Sequence, residues 1–380
     1  MKSIYLDNAS TTKVYPQITK LINNFSEKEF GNPSSQHSLG ESAKNHINKS
    51  RIYIASKINV KPNEISFTSG ATESNNLAIQ GLAKAFPFKK TIIISSIEHP
   101  SVNETCNFLQ SQNYKIIRIP VNNEGILNLD ILQKEIKINH DSILLVSIMH
   151  VNNIMGSVQD IERIGLICKL NSLIFHTDAT QSFGKLNIDA KRQNITMLTA
   201  SGHKMGAQKG IGLLYINEKI KISPLLYGGG QENNLRSGTE NVSGIISLSK
   251  ALEISKKINK NKIKAIKEKL SARLESIGAK INSSNQNTIY NIIHASFPNV
   301  DSDSLIQYLS HKKIFISTGS ACDSKKEKES HVLKAINLNE NLIKGSFRIS
   351  LNEDIKDKDI NIIIKEIEKA AKILQYSKIK

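Results

Sequence analysis

The chain has 380 residues, 39% hydrophobic and 22% charged, which fits two or three globular domains with a sizeable core. No run reaches the roughly 18 uncharged apolar residues of a membrane span, and Met1–Asp7 carries no apolar signal core, so a cytoplasmic protein is expected. The net charge of +17 is mostly lysine on helical stretches such as Lys256–Lys269; with 5% aromatics and no Trp, stacking platforms are scarce and no nucleic-acid role is expected.

The first apolar, β-rich run is Glu64–Ser69, and a helical stretch, Ser74–Lys84, follows it. Further strands are expected at Thr91–Ser96, Tyr114–Val121, Ser142–His150, Ser172–Asp178, Ile195–Ser201 and Ile211–Asn217, with helices such as Ser101–Gln112 and Asp160–Leu170 between them. Strands alternating with helices predict a mostly parallel sheet covered on both faces, with ligands beyond the carboxyl ends of the strands. Past Gly228-Gly229-Gly230 the texture changes. A long helical stretch, Asn241–Ile277, is interrupted near Asn259-Lys260, and strand-like Thr288–Phe297, helix Asp301–His311, strand Phe347–Leu351 and a helix over Lys356–Tyr376 follow. These read as a smaller α/β domain. The lysine-rich patch Ser324–Ser330 reads as a mobile loop.

Polar motifs gather at the strand ends. Thr68-Ser-Gly-Ala-Thr-Glu73 is either an anion site at a helix N-terminus or an ordinary helix start capped by Thr72 or Ser69. Glu98-His99 ends one strand, and an imidazole there could stack on a flat ring and move protons. Asn152-Asn153 ends another, where two consecutive amides are costly unless hydrogen-bonded. His176–Gln181 supplies Asp178, a carboxylate needing a cationic partner, and Gln181 three residues on. Ser201-Gly202-His203-Lys204 follows the apolar run Ile195–Ala200, which holds Lys204 near the core, where burial favours a neutral, nucleophilic amine. Each motif alone is compatible with a solvated strand end. Together they match what pyridoxal phosphate demands: a Schiff-base lysine, an acid for the pyridinium and a phosphate anchor. GxGxxG after a strand, GxxxxGK[ST] and HExxH are all absent, which leaves Rossmann, P-loop and zincin functions unsupported. Cys106, Cys168 and Cys322 are too few and scattered for a disulfide framework; the first two sit in apolar helical settings as fillers.

With these residues in hand, the sequence resembles the NifS/IscS-type cysteine desulfurases, in the class V branch of fold-type I pyridoxal-phosphate enzymes. Matching segments include Tyr5–Thr12, Gly31–Ser35, Thr68–Glu73, Glu98-His99, Met149–Asn153, His176–Gln181, Ser201–Lys204, Arg236–Thr239, Ser317–Cys322 and Arg348. The resemblance implies a large cofactor domain over residues 15–255 and a small domain over 1–14 and 256–380. It implies that Lys204 holds the cofactor and shuttles the Cα proton, that His99 stacks on the ring and acts as acid/base, and that Asp178 and Gln181 meet its nitrogen and phenolic oxygen. Thr72, Ser201 and His203 would bind phosphate, Ala71 would contact the cofactor, and Thr239 would reach the phosphate of the neighbouring subunit in a homodimer. Asn153 and Arg348 would hold the carboxylate of L-cysteine, Asn32 would also bind the substrate, and Asn153 would also face the cofactor. Cys322 would take the sulfur as a persulfide and pass it to acceptor proteins for iron–sulfur assembly or for tRNA or cofactor thiolation. No metal site is expected. The sequence departs from the family pattern at Ile154, Ala207-Gln208, Asn233-Asn234 and Asn352. The alternatives are a selenocysteine lyase or other class V enzyme, and, further off, a catalytically decayed scaffold or RNA-binding protein.

Overall fold

The structure is a computed structural model that describes residues 3–284, 286–318 and 330–376. Its centre is a seven-stranded sheet, ordered Ile65–Thr68, Gly212–Ile216, Met197–Ser201, Phe175–Asp178, Ile143–Ser147, Thr91–Ser95 and Lys115–Ile119. Gly212–Ile216 pairs antiparallel with both neighbours; the other pairings are parallel, so six strands run one way and share a carboxyl edge. All seven expected strands are present. Ile143–Ser147, Thr91–Ser95 and Met197–Ser201 are buried throughout, because helices cover both faces and an alternating pattern would leave polar groups in the core.

Helices Pro16–Lys28, Ser38–Lys57 and Leu129–Asn139, which the sequence reading passes over, complete this layer. Asparagine and aspartate punctuate the chain. Asn128, Asp160, Asn241, Asn259 and Asp301 each accept a backbone N–H of the first turn of the helix they precede, an arrangement that stabilises a helix start by about 1 kcal/mol. Asn259 therefore explains the interruption read in the long helical stretch: Val242–Ser255 ends, and Lys260–Ser276 starts on a fresh cap.

A four-stranded antiparallel sheet lies beyond, ordered Ser317–Thr318, Ser346–Ser350, Ile292–Ser296 and Lys280–Ile281. Its core joins Ile4 and Leu6 to Leu270, Phe347, Ile349 and Ile363. The chain start is woven in, since Ile4–Tyr5 pairs parallel with Ile314–Phe315 and Asn8 donates to the Ser350 carbonyl at 2.8 Å.

Candidate active site

Because six strands share one carboxyl edge, the turns that leave them meet around a single cavity of about 640 Å³. Ala71, Thr72, His99, Asn153, Asp178, Gln181, Ser201, His203, Lys204 and Arg348 all line it. Asn32 and Thr239 do not: Asn32 is exposed and its side chain accepts from the Ser34 amide, and Thr239 is exposed on a loop. Cys322 lies outside the described residues.

The helix Ala71–Ala85 opens directly on the cavity. Its N-cap is Gly70, with no side-chain hydrogen bond, rather than Thr72 or Ser69. No side chain thus competes for the first-turn amides, which favours the anion-site reading over the capped start. Opposite, the Gly212 backbone comes so close that a Cβ there would lie 2.6 Å from the Gly70 Cα. Any larger residue would push the turn open.

Asp178 is buried at the end of its strand. Its carboxylate accepts from the Thr180 amide (2.9 Å) and from Asn75 Nδ2 (2.8 Å), both neutral donors, so its charge is left for the cavity to balance. Lys204 Nζ donates to the carbonyl oxygens of Ala9 (2.8 Å) and Ser10 (2.7 Å). Gln181 Nε2 donates to the same Ala9 oxygen at 2.8 Å, while its Oε1 accepts from Lys185 Nζ at 3.1 Å. Burial, then the charges of Lys204 and Arg348, lower the Lys185 ammonium to about 7. His203 is pushed down to about 4, by burial first and then by Lys204, Lys209 and Lys185, so it is neutral at physiological pH.

The two amides after Met149 have separate fates. Asn152, fully buried, spans its own turn: it donates to the Ile97 carbonyl (3.0 Å) and accepts from the Ile154 and Met155 amides, each at 2.9 Å. Asn153 faces the cavity, and its backbone carbonyl accepts from Arg348 Nη1 at 2.8 Å. Arg348 Nη2 is held by Asp7 Oδ1 (2.7 Å) and Ser10 Oγ (2.6 Å), and its Nε is buried without a partner among the described residues. Ile154 packs into the core and stays out of the lining. Cys106 and Cys168 are buried thiols that burial pushes up to about 12, consistent with inert fillers.

Ala9, Ser10, Thr11, Asn75, Ser101 and Lys185 are the site residues that the motif reading did not single out. For Ala9–Thr11 the signal was the matching segment Tyr5–Thr12; Asn75, Ser101 and Lys185 gave none beyond their closeness to other motifs.

The pattern described as Aminotransferase class-V matches residues 4–363, and the chain belongs to that family. Among its relatives, the chain is 38% identical over 371 residues to "Cysteine desulfurase IscS" of Methanosarcina thermophila, covering 96% of this chain and 91% of that one. It superposes on a solved "NIFS-LIKE PROTEIN" with a TM-score of 0.92 at 33% identity, covering 98% and 100% of the two chains. It also superposes on the structure titled "SspA in complex with cysteine" with a TM-score of 0.83 at 36% identity, covering 92% and 99%. Within the class V family, its place is among the cysteine desulfurases. No helix among the described residues is long and apolar enough to cross a membrane.

Pyridoxal phosphate, the cofactor of this family, fits the residues present. Its phosphate matches the uncapped helix start against Gly212, its protonated ring nitrogen matches a buried carboxylate that, among the described residues, is bonded to neutral donors, and its carbonyl carbon needs the amine that Lys204 brings into the same cavity.

Proposed function

We propose that this protein converts L-cysteine to L-alanine and takes the sulfur onto Cys322 as a persulfide. One observation carries the reading: a single cavity joins Lys204, Asp178 and His99 to Asn153 and the guanidinium of Arg348. An amine, a carboxylate and an imidazole serve the cofactor, and a guanidinium beside an amide suits an amino-acid carboxylate. When bound, pyridoxal phosphate supplies an electron-withdrawing ring that acidifies the Cα proton of an attached amino acid and makes its Cβ–S bond breakable.

In this reading Lys204 Nζ holds the cofactor and moves the Cα proton, while His99 stacks on the ring and serves as acid/base. Asp178 holds the positive ring nitrogen, and Gln181 meets the phenolic oxygen. Ala71, Thr72, Ser201 and His203 bind the phosphate, with Thr239 reaching the neighbouring subunit's phosphate in a homodimer. Asn32, Asn153 and Arg348 orient the substrate. The balance closes without an outside oxidant: L-cysteine and the Cys322 thiol give L-alanine and a Cys322 persulfide, with the sulfur bonded to the thiolate that attacked it. The large domain over 15–255, the small one over 1–14 and 256–380, the cytoplasm as compartment and a protein acceptor in iron–sulfur assembly or tRNA or cofactor thiolation complete the proposal.

The test incubates the purified full-length protein, loaded with the cofactor, with L-cysteine and reads alanine and protein-bound persulfide. Equal amounts of both are expected in a single turnover, and Cys322→Ala should lose the persulfide. No alanine from the intact protein would overturn the activity; sulfur mobilised normally by Cys322→Ala would overturn the role of that residue.

A further inference from the structure

Asp178 and His99 lie on different elements and are given separate tasks in the proposed function, yet a continuous hydrogen-bond chain connects them. Asn75, fully buried on the helix Ala71–Ala85, donates both hydrogens of its Nδ2: one to Asp178 Oδ2 and one to Ser101 Oγ, each at 2.8 Å. The assignment of nitrogen and oxygen in this amide follows from the carboxylate, which can only accept. Ser101 Oγ has thereby accepted a hydrogen, and it lies within hydrogen-bond distance of His99 Nδ1, 2.9 Å away. The backbone N–H of Ser101 donates to the same Nδ1 at 3.1 Å, which is also what makes His99 the N-cap of the helix Pro100–Ser111.

A backbone N–H has no tautomer. A nitrogen that receives it, and a hydroxyl hydrogen besides, must offer its lone pair, so the ring hydrogen of neutral His99 sits on Nε2. We propose that Asn75 and Ser101 are positioning residues that lock His99 in the Nε2–H tautomer and couple its ring to the Asp178 carboxylate. The lock gives His99 a direction: in the resting protein its ring donates a hydrogen bond at Nε2 rather than accepting one there. The coupling means that a change of charge on either side of the chain is felt at the other through three polarised hydrogen bonds. The tautomer and the coupling stand on these distances alone; their use in turnover rests on the desulfurase reading.

The test is nitrogen NMR of the full-length protein with ¹⁵N-labelled histidine, before and after the cofactor is stripped, with His99 assigned by the signal lost in His99→Gln. The expected result near neutral pH is a proton-bearing Nε2 and an unprotonated, hydrogen-bonded Nδ1. Ser101→Ala should keep this tautomer, because the backbone donor stays, while moving the Nδ1 resonance toward that of an imidazole with one donor. Asn75→Leu should move it the same way, and should add nothing in the Ser101→Ala background. Where Asn75→Leu does not fold, Asp178→Asn supplies the same cycle from the other end. In turnover, Ser101→Ala should lower kcat about tenfold with KM within about twofold, the split of a lost positioning contact rather than lost binding. A proton on Nδ1 in the unsubstituted protein overturns the lock. Shifts from Asn75→Leu that are zero, or that are equal with and without the Ser101 hydroxyl, overturn the coupling. A protein that passes the NMR test and fails to turn over cysteine overturns the desulfurase reading and leaves the lock standing.

Discussion

Arg348 and Asp7 meet at 2.7 Å across 341 residues of sequence, with the arginine side chain 3% exposed. The pair ties the chain start to the strand Ser346–Ser350 and aims the guanidinium at the cavity beside Asn153. Asp7→Asn keeps the shape and removes the charge, leaving a buried cation with weaker partners. Urea unfolding should show a loss of about 1–3 kcal/mol, and cysteine turnover should show KM rising more than kcat falls. Unchanged values of both would rule out Asp7 as the group that aims Arg348.

Lys185 makes stability depend on pH on the alkaline side. Its folded value is near 7, against 10.5 for an ordinary lysine, with burial as the largest cause. A lowered value means that the unfolded chain binds the extra proton between those limits. The lysine's contribution is therefore largest above pH 10.5 and is lost as pH falls through about 7. Lys185→Met should flatten the rise in unfolding free energy between pH 7 and 10, while leaving Gln181 Oε1 without its donor at a cost of about 1–3 kcal/mol. Parallel stability–pH curves for the variant and the parent would refute this.

Glu98 works in the opposite sense. It is fully buried, accepts from Ser95 Oγ (2.5 Å) and the Met149 amide (2.8 Å) on Oε1, and leaves Oε2 without a partner among the described residues. Burial pushes its carboxyl up to about 8 from 4.5. The raised value gives a contribution fully present below pH 4.5 and lost as pH rises toward 8, at about 1.4 kcal/mol per pH unit in between. Glu98→Gln, the neutral isostere, should remove that slope, as read by urea midpoints from pH 5 to 8.

Glu232 forms a two-pronged pair with Arg51, both contacts at 2.8 Å, and also accepts from the Phe67 amide at 2.9 Å. It sits at φ 48°, with Asn233 and Asn234 at φ 56° and 65°. The asparagines that depart from the family pattern suit this left-handed run, because Asn tolerates it better than most side chains. Glu232→Ala strands a largely buried guanidinium and should cost about 3 kcal/mol in thermal or urea unfolding. A loss under about 0.5 kcal/mol would mean that the backbone, rather than the ion pair, holds the loop.

The sequence by itself determined the chemistry of this protein and its place on the sheet. Apolar runs set the strands, the polar motifs stood at their ends, and all the motif-bearing strands run one way, so Thr72, His99, Asn153, Asp178 and Lys204 converge on one edge. Local pattern reaches that far because a strand and the turn after it are neighbours in the chain. Only the tertiary structure decided what holds these groups. The Ala9 carbonyl reaches Lys204 over 195 residues, Asn75 reaches Ser101 over 26 and Asp178 over 103, and Asp7 reaches Arg348 over 341. Such partners leave no periodicity or spacing to read, since a hydrogen bond depends on where two atoms end up and not on how many residues separate them. Asn75 thus reads as a polar residue on a helix until packing sets its amide between a carboxylate and a serine.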